Sequence, residues 1–355
     1  NNQLTYLNMR NGITDQLNNF NATNNSLTCI ETLDPDYATA NWTSANGNID
    51  AGVTFDVICG AEAQTNWYVA TTGSDISGSG TLASPLATIQ TGINAASSGD
   101  TVSVAAGTYV ENIDYDGKNI SIIGEDRETT IIDGNESGRV FRYYSSGNDQ
   151  GFMISGFTIK NGLYEDGAGM IINNSQITLE NLIIKDNYAT HNSGGINVSG
   201  GNPIIKNCIV KNNNAGWAMG GIGFHQTNAK VINTLFTNNG PCYGSAFASW
   251  SGSNIEFDNV SVVNNTGSWP IAAEGNSNIS LLNSNVWSNG NNQIALGGSG
   301  DPTNPDTLIV SYSNIENGLD STVYIFNGPS YGDVISSDGN INIDPMFVDS
   351  ANGNY

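Results

Sequence analysis

The sequence predicts an all-β fold, a right-handed parallel β-helix. Three observations predict it: a segment that recurs at nearly constant spacing, asparagine or glycine at fixed positions of each copy, and apolar runs of three to five residues. Runs this short form strands rather than helices, and asparagine and glycine tolerate the backbone of a sharp bend. Copies of such a unit, stacked as the rungs of a coil, bury one continuous core.

The repeat comprises seven segments whose starts lie 25, 26, 26, 26, 25 and 28 residues apart. They begin at Ile154, Leu179, Ile205, Val231, Phe257, Leu282 and Val310. The eighth position is polar: Asn161, Asp186, Asn212, Asn238, Asn264, Asn289 and Asn317. The sixth position is apolar: Ile159, Ile184, Val210, Phe236, Val262, Trp287 and Ile315. Since successive rungs lie about 4.8 Å apart, we expect a buried ladder of amides at the eighth position and an apolar stack at the sixth.

Two of these patterns together resemble a known family. Phe236-Thr237-Asn238-Asn239, combined with Gly220-Gly221-Ile222, resembles the repeats of the pectate-lyase-like superfamily of secreted β-helices. It is also similar to the repeats of bacterial polymorphic surface proteins. The resemblance implies a secreted or cell-surface bacterial protein, and it is specific for fold rather than for chemistry.

The resemblance extends over residues 66–355. The stretch from Trp67 to Ile113 resembles the opening segment of such coils and implies a capping helix from roughly Pro85 to Ser97. We assign the opening segment and cap to 66–115, regular rungs to about 116–330 and an incomplete final rung to 331–355. The last assignment depends on 344–349 and 353–355, which resemble the end of the family's final rung.

Residues 1–62 have a different pattern. Leu4, Leu7 and Met9, and later Leu17 and Phe20, follow a spacing similar to the last repeats of a bacterial leucine-rich-repeat array. We expect this unit to be separable from the coil. A disulfide between Cys29 and Cys59 is the leading pairing, since caps of secreted proteins are often crosslinked; two free thiols are the alternative. Both ends of the chain suggest a part of a longer polypeptide.

Composition excludes two classes of protein. The chain has 33 acidic and 10 basic residues, a formal net charge of −23, so it lacks the basic surface of a general nucleic-acid binder. Its apolar runs are too short for a membrane-spanning helix.

Aromatic residues follow the eighth position in five consecutive repeats and are candidate ligand-binding residues: Tyr164, Tyr188, Trp217, Tyr243 and Trp269. We expect them to form a row along one edge of the coil, where flat rings stack on sugars. The alternative is that the rings stack on one another and seal the core.

A second candidate set is basic. Lys160, Lys185 and Lys211 share the seventh position, and a column of outward lysines suits the acidic groups of a glycan. Neutralisation by neighbouring carboxylates is the alternative.

Catalysis is a further possibility. The family resemblance implies polysaccharide lyases with a basic residue and bound calcium; Lys185 or Lys211 would then be the base and Glu165, Asp166 and Asp186 the metal ligands. No cofactor is required by any motif, and calcium stays an option. His191 and His225 occupy different positions of their repeats, so we expect no pairing between them.

Three functions follow from these patterns. The first is a surface β-helix that binds an extracellular polysaccharide or cell-surface glycan, or mediates adhesion. The second is a polysaccharide lyase or related carbohydrate-active enzyme acting on acidic polysaccharide. The third is a structural spacer. Glycan binding without product, release of unsaturated uronate, and inertness in both assays would distinguish them.

Overall fold

A computed structural model describes residues 3–12, 17, 19–61, 63–145, 149–290, 292–298 and 301–347. Between Asn66 and Ser336 the described residues form a parallel β-helix, the fold class that the sequence predicts. Three long parallel sheets run along the coil. In the described residues nine rungs contribute a short strand to each sheet, and the first and last rungs contribute a strand to one sheet alone. No helix among these residues is long and apolar enough to cross a membrane.

The first and longest sheet, sheet 1, has eleven strands. In spatial order they are Asn66–Val69, Thr101–Val104, Ser121–Gly124, Met153–Ser155, Thr178–Glu180, Ile204–Lys206, Asn228–Ile232, Asn254–Asp258, Asn278–Leu282, Asp306–Ser311 and Gly332–Ser336.

Sheets 2 and 3 have nine strands each. Sheet 2 contains Gly107–Val110, Thr130–Asp133, Thr158–Lys160, Ile183–Lys185, Ile209–Lys211, Leu235–Thr237, Ser261–Val263, Asn285–Trp287 and Asn314–Ile315. Sheet 3 contains Ile113–Asp114, Phe141–Tyr144, Met170–Ser175, Ile196–Gly201, Ile222–His225, Phe247–Trp250, Ile271–Glu274, Ile294–Leu296 and Val323–Ile325.

A smaller fourth sheet, the loop sheet, lies in the loops between sheets 2 and 3. Its three strands are Leu163–Asp166, Tyr188–Asn192 and Asn214–Ala215. Alanines on these strands, Ala189 and Ala215, are buried together with Ala168. The loop sheet therefore packs against the coil by means of small side chains.

The core consists of columns of apolar side chains that the strand register aligns. In sheet 2, Ile159, Ile184, Val210, Phe236 and Val262 follow one another in the predicted order, but the next member is Val286 rather than Trp287. The predicted Trp287 position is wrong because that rung begins one residue earlier than the sequence alignment implies. Trp287 pairs with Val263 in the neighbouring column instead.

The predicted asparagine ladder is also displaced by one residue. At the eighth position, Asn161, Asp186, Asn212, Asn238 and Asn264 have φ between +55° and +57°, so these residues make the bend between sheet 2 and the loops. The buried ladder is formed by the residues that follow them: Asn187, Asn213, Asn239 and Asn265. It continues to Asn289, which the sequence alignment puts at the eighth position; because that rung begins one residue earlier, Ser288 makes the bend there. Each of the first four donates from its Nδ2 atom to the Oδ1 atom of the next, at 2.9–3.1 Å.

The opening of the coil is covered as the resemblance implies. Helix α2, Ile89–Ala95, lies inside the predicted range, and Thr88 caps its N-terminus by accepting from the backbone N–H of Thr91. Ile89 and Ile93 are fully buried in the coil's core. The remaining helices are α1, Pro35–Asn41, and α3, Leu319–Thr322, with a 3₁₀ turn at Pro329–Tyr331.

The N-terminal unit contains a parallel pair of strands, Cys29–Glu31 and Thr54–Asp56. Cys29 and Cys59 form a disulfide with a Cα–Cα distance of 5.9 Å. Val57 is fully buried in the main core cluster of the coil. The boundary at residues 62–66, the separate folding of the two parts and the leucine-rich-repeat origin of the first remain predictions, and residues 348–355 of the predicted final rung lie outside the described residues.

Candidate functional site

An open cleft of about 480 Å³ lies between the loop sheet and the outward face of sheet 3. Tyr164, Glu165 and Asp166 line it from the loop sheet. Its other side is polar and consists of outward side chains of sheet 3, among them Asn173, Asn197, Ser199 and His225. Strand register explains this polarity, since Asn173, Ser199 and His225 occupy one column of adjacent strands.

Arg139 holds the loop that bears the cleft's aromatic and acidic residues. Its Nε atom donates to the carbonyl of Gly167 at 2.9 Å, and Nη2 donates to the carbonyl of Asp166 at 2.7 Å. The guanidinium also lies 4.2 Å from the centre of the Tyr164 ring, a cation–π distance. Burial lowers the pKa of Arg139, an effect that Tyr164 and Asp166 oppose. Arg139 therefore fixes the position of the cleft's edge.

Asp166 contacts one histidine of the chain, His191, and acts electrostatically on the other, His225. Its Oδ1 atom lies 3.3 Å from Nδ1 of His191 and accepts from the backbone N–H of Asn192 at 2.9 Å. Burial lowers the pKa of His225, while the negative charge of Asp166 acts in the opposite direction. Both histidines therefore lie near one carboxylate, although no direct contact between their rings is found among the described residues.

Four rings from three successive rungs are in contact, and we call them the aromatic ladder: His191, Trp217, Trp250 and His225. The planes of His191 and Trp217 are 11° apart at a centroid distance of 5.2 Å. Trp250 meets both Trp217 and His225 edge-on, at 5.4 Å in each case. Trp217 nevertheless remains 57% exposed. The ladder thus combines the two predicted alternatives, since its rings stack on one another and still face solvent.

The predicted row of five aromatic residues is divided. Tyr164, Tyr188 and Trp217 are exposed, with Tyr164 at 47%. Tyr243 and Trp269 are only partly exposed and pack against a buried cluster that includes Ala248 and Ala272. The prediction that all five project to solvent is therefore wrong for the last two. Burial raises the pKa of Tyr243, and the nearby charge of Glu274 raises it further.

The three lysines form the predicted column but lie outside the cleft. Lys160, Lys185 and Lys211 are in register at the ends of adjacent strands of sheet 2. Lys160 pairs with Asp133 at 3.0 Å, and Lys185 lies 3.7 Å from Asp186. No lysine lines the cleft in the described part of the chain.

The candidate calcium ligands do not come together. Glu165 and Asp166 line the cleft, whereas Asp186 lies at an exposed bend, accepts from Asn212 and faces Lys185. Within residues that the structure describes, no group of three or more His, Cys, Asp or Glu side chains could hold a metal ion.

The remaining thiols are part of the core. Cys208 and Cys242 are buried, and burial raises their pKa values to about 12 and about 11. Both therefore stay protonated and unreactive near neutral pH.

Several residues of the site were not predicted as site residues from the sequence: Arg139, Asn173, Asn192, Asn197, Ser199, Trp250 and the two histidines. The repeat contained a signal for two contacts. His191 precedes Trp217 by one repeat length, and His225 pairs with Trp250 in the strand register. A search for aromatic and imidazole side chains separated by the repeat length would have identified the ladder.

Comparisons with known proteins give likenesses of architecture alone. No family model matches the chain, and no curated protein does. Among solved structures, pectate lyase Pel9A is 13% identical, with 80% of this chain and 83% of that chain covered and a TM-score of 0.48. A pectin methylesterase from carrot is 15% identical, with 78% and 86% covered and a TM-score of 0.44. A rhamnogalacturonan lyase is 12% identical, with 80% and 91% covered and a TM-score of 0.38. At these identities the comparisons assign no activity to the chain.

Proposed function

We propose that the protein binds a glycan in the cleft between the loop sheet and sheet 3. The observation that carries this proposal is the combination of exposed rings and a hydrogen-bonding floor. Tyr164 presents an exposed ring in the cleft, while Asn173, Asn197 and Ser199 supply polar groups. The exposed ring of Trp217 lies beside the cleft, because it contacts Trp250, which in turn contacts the cleft residue His225. Sugars have apolar ring faces and polar edges, so sites that hold them need both features.

The openness of the cleft favours a chain over a small enclosed ligand. The rungs repeat along the coil, and the aromatic ladder covers three of them. A linear polymer aligned with the coil axis would contact successive rungs and would bury more surface on binding than a single sugar could. Binding is expected to be weak per sugar, since a shallow site buries little surface.

Location outside the cell is part of the proposal. The Cys29–Cys59 disulfide supports it, because disulfides persist in oxidising compartments. Adhesion to a glycan-coated surface would follow from binding, and a purely structural role would give no binding at all. Lyase activity has less support, since the candidate bases Lys185 and Lys211 lie outside the cleft and Lys185 faces Asp186.

A glycan array followed by calorimetry tests the proposal. The Trp217→Ala and Tyr164→Ala variants should lose binding by about tenfold or more, since each removes one stacking face. Tyr312→Ala is the matched control, because Tyr312 is an exposed aromatic residue on a different face of the coil. Absence of binding to every glycan tested, or an equal loss in the Tyr312 variant, would contradict the proposal.

A further inference from the structure

The cleft contains buried hydrogen-bond acceptors that have no donor. Asn192 is 8% exposed, lines the cleft, and its Oδ1 atom has no hydrogen-bond partner among the described residues. The Oδ1 atom of Asn173, on the cleft's other side, is in the same state. A buried acceptor without a donor is costly, so a native site that contains two of them is suited to a ligand that supplies donors.

The charges of the cleft also favour a ligand that supplies hydrogen-bond donors. Glu165 and Asp166 contribute two carboxylates. Arg139, the one arginine among the described residues that line the cleft, donates to backbone carbonyls and covers the Tyr164 ring. The carboxylates therefore outnumber the cation when the histidines are neutral. A positively charged ligand would be attracted, and an anionic one would meet like charges.

Uronate-containing glycans are poorly matched to these groups. A uronate carboxylate needs donors or a free cation, and the lysine column that could supply cations lies along sheet 2, outside the cleft. The net charge of −23 also opposes the approach of a polyanion. Hydroxyl groups alone would satisfy the orphaned acceptors but would leave the carboxylates without a counter-charge.

We propose that the ligand is a glycan with free amino groups, such as a polymer of glucosamine; this inference rests on the proposed glycan-binding function. A protonated amine provides three donors and a positive charge in one group. It would pair with Asp166 or Glu165 in the cleft, and rotation of the buried Asn192 amide would let its Oδ1 atom accept from the same group. The sugar ring beside it would contact Tyr164 or Trp217.

Calorimetric titration with three oligosaccharides of equal length tests this: glucosamine, N-acetylglucosamine and galacturonate oligomers. The glucosamine oligomer should bind about tenfold more tightly than the acetylated one, since acetylation removes the charge of the amine. The Glu165→Gln/Asp166→Asn variant should lose most of that preference. The Asn192→Leu variant should weaken binding of the glucosamine oligomer more than binding of the other two. Raising the salt concentration should reduce the preference through screening.

A charge-matched variant separates the cleft from the net charge of the protein. Asp333→Asn/Asp338→Asn removes two exposed carboxylates near the last strand of sheet 1 and should keep the preference. An equal loss in both double variants would show attraction by overall charge and overturn the proposal. Tighter binding of the galacturonate or acetylated oligomer, still dependent on Trp217, would also overturn it while leaving glycan binding intact. Binding of none of the three would instead count against the proposed function itself.

Discussion

The loop edge of the coil is built in two ways, which differ in the residues of one outward column of sheet 3, the column that begins at Ile171. In the upstream rungs this column contains Ile171 and Asn197, and the loops form a separate sheet that leaves the cleft open. In the downstream rungs the column becomes Ala248, Ala272 and Ala295. Such small residues leave space over the sheet, and aromatic loop residues fill it.

The consequence is that aromatic residues following equivalent bends have opposite environments. Trp217 is exposed, whereas Trp269 packs onto the alanine-containing cluster and stacks on Tyr324 at 5.5 Å. Local sequence around the two tryptophans gives little sign of this difference. In the rung of Trp217 the same column contains Gly223, and the side chains of Met219 and Ser193, rather than the ring, lie over it. Whether a loop ring is buried therefore depends on which side chain fills the space over the sheet.

The largest expected effect concerns the element that both halves share, the buried asparagine ladder. Asn239→Val removes the acceptor for two donors of Asn213 and the donor to Asn265, so it should destabilise by about 3 kcal/mol or more. Asn238→Val is the matched control, since Asn238 lies at the exposed bend; the strain of a β-branched residue at positive φ should cost about 1–2 kcal/mol. Chemical denaturation of both variants measures the difference. A larger loss at Asn238 would mean that the ladder lies where the sequence alone predicts it.

The next effect sharpens the comparison of the two tryptophans. Trp269→Ala should destabilise by about 3 kcal/mol, because it empties space between the alanines and Phe326. Trp217→Ala should cost about 1 kcal/mol, because more than half of the side chain is exposed and the lost contacts are those with His191 and Trp250. Thermal unfolding followed by circular dichroism distinguishes them. Equal losses would show that both rungs use their aromatic residue for packing.

A smaller effect is expected at the boundary between the halves, where His225 contacts Trp250. Burial lowers the pKa of His225 below its ordinary value of 6.5, so the unfolded chain binds this proton more tightly than the folded one. Stability should therefore fall as the pH drops through about 6.5, and His225→Gln should make that dependence flatter. Unfolding midpoints between about pH 7.5 and about pH 5.5, where few carboxylates titrate, provide the measurement. Repeating them in high salt is the control, since a dependence due to burial persists there; an unchanged slope in the variant would contradict this assignment.

The sequence predicts the coil well because its rungs obey one local rule. Spacing, bend residues and apolar columns determine the strands, and the covering helix α2 lies inside its predicted range. The one-residue displacement of the ladder has a physical origin: the bend itself requires an asparagine at positive φ, so two adjacent asparagines such as Asn238 and Asn239 have different roles. Period alone does not tell which of them is buried.

The site was less predictable because it depends on contacts between loops and a neighbouring sheet. Arg139 lies one rung upstream of Asp166 and Gly167 and donates hydrogen bonds to their backbone carbonyls, and no sequence motif marks that contact. Asn192 is one of many asparagines, and only its burial without a partner distinguishes it. The sequence correctly predicts that the three lysines form a column. The side of the coil on which that column lies depends on where the chain bends between sheets 2 and 3.

The most direct test of the account measures binding and stability together on Trp217→Ala and Trp269→Ala. The ligand is the glycan that the wild-type protein binds most tightly, and the readouts are the dissociation constant and the melting temperature of each variant. We expect Trp217→Ala to lose binding while its melting temperature stays near that of the wild type, and Trp269→Ala to lose stability while its folded form still binds. The reverse assignment, with binding lost at Trp269 and stability lost at Trp217, would contradict the division of the coil into an open upstream site and a packed downstream half.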